Sequence, residues 1–160
     1  MNAGTSTMDS ATKSAIEKAA EGVIYVSESD YPFTYVWAGL GADDGEVTEE
    51  LVREKLGSFV DNDADADKPL KDLFGMEVTW SKWKSDYVSC DANAYPGPEE
   101  CKAMRRMDEA LDTHLSGIKV FYFGSNGAPG RVEGVAVTIF IVGRTASGNL
   151  AGVKTIAIWT

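Results

Sequence analysis

Apolar and polar positions repeat along this chain with two different periods, and the change of period divides it into elements. Between Ser10 and Glu21, Ala15, Ile16, Ala19 and Ala20 fall on one face at helical spacing. They predict a short helix, with hydroxyls from Thr12 and Ser14 near its start and Gly22 as its stop. Val23-Ile24-Tyr25-Val26 is a β-branched and aromatic run that predicts a strand. Ser27-Glu28-Ser29-Asp30 breaks it, Tyr31-Pro32-Phe33 turns the chain, and Thr34 to Trp37 predicts a second strand. Gly39, Gly41 and Gly45 mark a loop. Thr48 can then cap a helix that runs through Leu56 to Gly57, with Glu49 and Glu50 in the first turn, where the helix dipole favours acid. From Leu70 to Lys84 the apolar residues Leu73, Phe74, Met76, Val78, Trp80 and Trp83 follow neither period clearly, and helix and strand both stay open.

The second half of the chain is plainer. Pro98 suits a first helical turn, and Met104, Met107, Leu111 and Leu115 recur at steps of three and four, which makes one face of a long helix. Gly117 is its expected stop. Ile118 to Phe123, Val132 to Val142 and Asn149 to Trp159 predict three strands. A loop with Asn126-Gly127 and Pro129-Gly130 joins the first two, and a turn from Gly143 to Gly148 joins the last two. Val135 to Val142 is almost wholly apolar, as a strand buried on both faces would be. The order predicts an α+β fold with a mainly antiparallel central sheet covered on both faces by helices. Met1 to Asp9 reads as a disordered leader and residues 10 to 160 as a single domain.

Composition narrows the function. A chain of 160 residues with 44% hydrophobic positions can build a core without a metal or a staple. A formal charge of −10 repels phosphates, so direct nucleic acid binding is not expected. The same charge attracts basic protein surfaces, although acidity also serves solubility. No apolar run is long enough to cross a membrane, and the first residues lack the apolar core of a secretory signal, so a cytoplasmic location is expected. Removal of a signal peptide is the alternative. Cys90 and Cys101 are expected as reduced thiols by a narrow margin, with a bridge around Tyr95-Pro96-Gly97-Pro98 as the other reading.

Candidate chemistry is sparse. The one histidine, His114, ends the long helix, where a cationic imidazole suits the dipole. A dyad of His114 with either cysteine has no flanking signature, and no nucleophile elbow or phosphate loop occurs, so no enzyme is expected. Asp61, Asp63 and Asp65 alternate as in a calcium loop, but Ala66 stands where glycine is needed and Asp72 where glutamate is usual. A solvated acidic loop is the better reading. Ser27-Glu28-Ser29-Asp30 is either an ordinary turn or a mount that projects Glu28. At the other end, Ile156-Ala157-Ile158-Trp159 runs straight into Thr160. A terminal threonine held at a strand tip offers a hydroxyl and a carboxylate, the oxygen ligands a hard divalent cation takes; an ordinary chain end is the alternative.

Two segments resemble a known family. Gly22-Val23-Ile24-Tyr25-Val26-Ser27-Glu28-Ser29-Asp30-Tyr31-Pro32-Phe33 resembles the N-terminal signature of the nuclease A inhibitor family. Residues 139–155, continuing to Thr160, resemble its closing hairpin, marked by Gly-x-Thr-x-x-Gly-Asn-Leu-Ala-Gly. The resemblance implies an α/β/α sandwich and 1:1 inhibition, by a monomer without a cofactor, of a magnesium-dependent, sugar-non-specific endonuclease of the ββα-metal type. It implies Thr160 as a ligand in trans to the nuclease's Mg²⁺ and Glu28 as an active-site contact, with Ser27, Ser29, Asp30 and Trp159 beside them. Tyr95 stands in the loop before the long helix, where the family has an aromatic contact, although residues 40 to 97 otherwise depart from the family pattern. Two other readings stand beside this one: a protein-binding module of the same fold with a non-nuclease partner, and an enzyme with a cleft of Glu28, Asp30 and His114.

Overall fold

The computed structural model describes residues 9–27, 30–41, 45–57, 70–94, 97–128, 131–133 and 136–158. Glu28, Ser29, Tyr95, Trp159 and Thr160 lie outside the described residues, as do Asp61, Asp63 and Asp65.

The first half of the chain forms α1 (Ser10–Ala20), β1 (Ile24–Tyr25), β2 (Tyr31–Pro32), β3 (Thr34–Ala38), α2 (Glu49–Leu56), β4 (Phe74–Thr79) and α3 (Trp80–Ser85). The second half forms α4 (Pro98–His114), β5 (Ser116–Gly124), β6 (Asn126–Ala128), β7 (Arg131–Glu133), β8 (Ala136–Arg144) and β9 (Leu150–Ile158). Five strands make the central sheet in the order β3-β9-β8-β5-β4, and every neighbouring pair is antiparallel.

The almost wholly apolar run near residue 140 is explained by its place. β8 is the middle strand, and Ala136 to Gly143 are all buried. Its side chains alternate between two cores, as the pleat requires. Val137, Ile139 and Ile141 join Ile16 of α1, Trp83 of α3, and Met104, Met107 and Leu111 of α4. Phe140 and Val142 join Leu51, Val52 and Leu56 of α2, with Leu70 and Leu73. The sheet is thus a middle layer between helices, an α+β fold of the sandwich kind the sequence predicts.

Local chemistry fixes the helix ends. Thr48 Oγ1 accepts from the Leu51 N–H at 3.1 Å and opens α2. α1 follows Asp9, and neither Thr12 nor Ser14 caps it. α4 stops at His114, earlier than Gly117, because Leu115 turns extended while its N–H still bonds the Leu111 carbonyl at 2.9 Å. Gly117 serves β5 instead. Its φ of +61° lies at the irregularity where the β5–β8 register shifts between Ser116 and Lys119.

Other readings are corrected or resolved. Tyr31-Pro32 is a strand paired with Ile24-Tyr25, not a turn. The stretch from Asn126 to Glu133, expected as a loop and the start of one long strand, is a separate β6–β7 pair. The ambiguous stretch from Leu70 to Lys84 is both elements in turn, an edge strand and then a helix that starts at Trp80, with Thr79 Oγ1 accepting from the Lys82 N–H at 3.2 Å. Cys90 and Cys101 are joined in a disulfide with Cα atoms 5.5 Å apart, which corrects the reduced-thiol expectation. Packing of α3 and α4 on one side of the sheet brings the two ends of the intervening loop within bridging range. No described helix is long and apolar enough to cross a membrane.

Candidate functional site

Two segments far apart in sequence meet at one end of the sheet. β9 pairs with β8 along its whole length and with β3 over Leu150 to Lys154. At its last residue, Ile158 donates its N–H to Ser27 Oγ at 2.9 Å. Three residues earlier, Thr155 Oγ1 donates to the Pro32 carbonyl at 3.0 Å. The β1–β2 pair is therefore tied to the second half of β9 at two points. The first tie holds the residue next to Glu28, and its partner is two positions before Thr160.

Aromatic packing sets the base of the same hairpin. Tyr25 stacks on Trp83 of α3 with centroids 6.0 Å apart, and Trp83 meets Tyr87 at 5.7 Å. Trp83 is buried at 3% exposure, so it is a rigid wall for the other two. A cavity of about 340 Å³ joins Ile24, Tyr25 and Val26 to Asp86 and Tyr87 after α3 and to Glu100 and Met104 at the start of α4. Both flanks of the disulfide loop that carries Tyr95 thus adjoin the hairpin that carries Glu28. Asp30, Asp86 and Glu100 are exposed carboxylates in these segments. Burial, with Tyr25 and Asp108 nearby, raises the Tyr87 hydroxyl well above the usual phenol range, so it stays neutral. Sequence reasoning did not single out Tyr25, Trp83 or Tyr87; their aromatic character beside the Ser-Glu-Ser segment and the cysteine loop was the available signal.

The family-like segment from Gly143 to Gly152 does different work at the opposite end of β9. Gly148, with φ at +86°, turns the chain between β8 and β9. Asn149 uses both ends of its amide: Oδ1 accepts from the Leu40 N–H at 3.1 Å and Nδ2 donates to Asp9 at 2.9 Å. Asp9 also accepts from Trp37 Nε1 at 2.7 Å and from the Ser147 hydroxyl. Burial alone would raise the Asp9 carboxyl, but hydrogen bonds from Ser147, Trp37, Asn149 and Thr145 outweigh it and hold the group below the usual carboxylate range. A side chain at Gly152 would strike the Ile141 carbonyl of β8. This motif is scaffold: it locks the start of α1, the end of β3 and the β8–β9 turn together.

The enzymatic arrangements are not assembled. His114 ends α4 beside Ser116, which pairs with Arg144 and through it with Leu150, the near end of β9. Asp30 precedes Tyr31 at the far end, and a nine-residue strand spans roughly 26 Å. Asp30 and His114 therefore do not share a cleft. Cys101 lies 13 residues before His114 on one helix, about 20 Å away along the axis, and both cysteines are oxidised. A Cys–His dyad is ruled out in this state. Among the described residues no group of three or more His, Cys, Asp or Glu side chains is gathered to hold a metal ion.

The family described as nuclease A inhibitor-like protein matches the chain over residues 10–160. No curated protein matches it.

Proposed function

Since the chain belongs to the nuclease A inhibitor-like family, we propose that it binds a magnesium-dependent, sugar-non-specific DNA/RNA endonuclease 1:1 and occludes its active site. The observation that supports this most is the Ser27–Ile158 hydrogen bond, which couples the Ser-Glu-Ser segment to the last strand. In this reading Thr160 supplies a hydroxyl and a carboxylate oxygen to the nuclease's Mg²⁺. Those ligands displace water or a substrate phosphate from the metal and offer no ester to cut. Glu28 sets its carboxylate where a phosphate would lie, against a cationic side chain of the nuclease. Ser27, Ser29, Asp30, Trp159 and Tyr95 form the surrounding contact surface.

The chain needs no cofactor of its own for this action. In this reading its part is to present two carboxylates, those of Glu28 and Thr160, to one cleft of the partner. The −10 charge draws the protein toward a basic cleft and away from nucleic acid. A buried area of about 800 Å² per partner is the usual scale of such a complex.

Two changes test the assignment of the ends. One residue added after Thr160 is expected to weaken inhibition of a ββα-metal nuclease by about a hundredfold or more, because the carboxylate leaves the metal. Glu28→Gln is expected to cost about tenfold or more in the inhibition constant. Unchanged potency in both would overturn the proposed contacts.

A further inference from the structure

The cavity beside the β1–β2 hairpin has a lining that sorts by chemistry. Ile24, Val26 and Met104 give it apolar surface, and Tyr25 and Tyr87 give it aromatic surface. Trp83 stands against both tyrosines, held by the bond from its indole N–H to Asp108 Oδ1 at 3.3 Å. The two lining residues that remain, Asp86 and Glu100, are exposed carboxylates. Among the described residues no lysine, arginine or histidine lines the cavity. At about 340 Å³ it has room for a long side chain.

Neither carboxylate is committed to a strong pair. Asp86 lies 3.7 Å from Lys82, but both side chains are more than half exposed, so water screens the pair and it is worth little. The Glu100 side chain has no hydrogen bond or ion pair among the described residues, whereas its neighbour Glu99 pairs with Lys102 at 3.6 Å. A side chain at Gly97 would strike the Glu100 carboxylate, so the glycine leaves that group its place at the start of α4. Burial keeps the Tyr87 hydroxyl protonated, and it adds no charge of its own.

An anionic group is repelled by both acids, and a wholly apolar one gains nothing from them. A lysine or arginine side chain suits both parts of the lining. Its stem packs on apolar and aromatic surface while its charged head stays in reach of the carboxylates. Both acids are open to water, so the contact does not require a buried charge pair. Position decides where such a side chain comes from. Val26 leads directly into Ser27, which bonds the last residue of β9, so the cavity is continuous with the surface proposed above. An enzyme that binds a polyanion holds its phosphates with cationic side chains. We propose that the cavity receives a lysine or arginine side chain from the rim of the partner nuclease's cleft, with its stem on Tyr25 and Tyr87 and its head at Asp86 and Glu100. The inference rests on the inhibitor reading and extends it: these two acids take the place of flanking phosphates, as Glu28 takes the place of one near the metal.

The test follows binding of the full chain to an immobilised, catalytically inactive ββα-metal nuclease with Mg²⁺ present, and reads association and dissociation separately. Asp86→Asn with Glu100→Gln removes both charges at exposed positions and keeps their shape. Glu50→Gln with Glu54→Gln removes two exposed charges from α2, on the opposite face of the sheet. Both double variants are expected to associate more slowly, since each loses the same net charge. Only the cavity variant is expected to dissociate faster, by about tenfold or more, the scale of one charge-assisted contact. Unchanged dissociation of the cavity variant, or the same change in both, would overturn the proposal, because the acids would then only steer. If the unmodified chain binds no such nuclease, the inhibitor reading fails and the cavity is judged alone. The ring resonances of Tyr25 and Tyr87 are then followed by NMR during titration with N-acetyl-arginine methylamide, with N-acetyl-norleucine methylamide as the apolar control. A saturable shift with the arginine probe alone, lost in the cavity variant, supports a site for basic side chains. No shift, or the same shift in the variant, would overturn it.

Discussion

Two buried aspartates give the molecule opposite responses to pH. Asp108 is raised to about 7 by burial, so between its ordinary value of 3.8 and 7 the folded state holds a proton that the unfolded chain has lost. Stability from this group is therefore full in acid and falls as pH rises from about 4 to 7, by an amount on the order of a few kcal/mol. Asp108→Asn should flatten that slope and raise stability at pH 8, read from urea unfolding at several pH values. An unchanged slope would mean that the carboxyl is ionised in the fold at low pH. Asp9 acts the other way. Its carboxyl is held below the usual range, so its contribution is present above about pH 4 and is lost as pH falls further. Asp9→Ala strands the donors of Trp37, Asn149 and Ser147. It should cost about 2–4 kcal/mol in urea unfolding at neutral pH. Because those donors sit at the end of β9 away from Ile158, inhibition by the variant that remains folded should not change.

At the scale of elements, a sequence pattern could be read where one period ruled a whole stretch. The α4 face of Met104, Met107 and Leu111 and the doubly buried β8 were both of this kind. The reading failed where two elements shared one window. Leu70 to Lys84 mixes an edge strand with a helix that begins at Trp80, so neither period runs long enough to show. Tyr31-Pro32 looked like a turn because proline lacks an N–H, yet it fits a two-residue strand at an edge. Gly117 looked like a helix stop, but its positive φ is used at the β5 irregularity between Ser116 and Lys119. The cysteine bridge depended on how α3 and α4 pack, which spacing alone does not encode. That bridge closes a loop between residues 90 and 101 and ties it to the first turn of α4. Replacing both cysteines by serine should lower stability by about 3 kcal/mol, measured as a fall in Tm. It should also weaken inhibition, because the loop that carries Tyr95 is released; equal potency would remove that loop from the contact surface.

For the whole molecule, the sandwich acts as a frame that brings distant segments of the chain to one end. The candidate site was legible as two motifs, but not which of them is working surface and which is frame. The two motifs sit at opposite ends of β9: the Ser27 segment adjoins its far end, while Gly143 to Gly152 knots the other end together, and under the proposed function the first is the working surface. Asp108 could not be found from sequence, since an aspartate on a helix is ordinarily a solvated residue and only the packing of Trp83 buries it. The net charge belongs to this scale as well. It predicts association with a basic nuclease that slows as salt is raised, while dissociation changes little. The most direct test of inhibition itself is a titration of DNA cleavage by a ββα-metal nuclease, at fixed enzyme concentration well above the dissociation constant. Activity should fall in a straight line and vanish at one equivalent of this protein. Undiminished cleavage in large excess, across several nucleases of that type, would contradict the account.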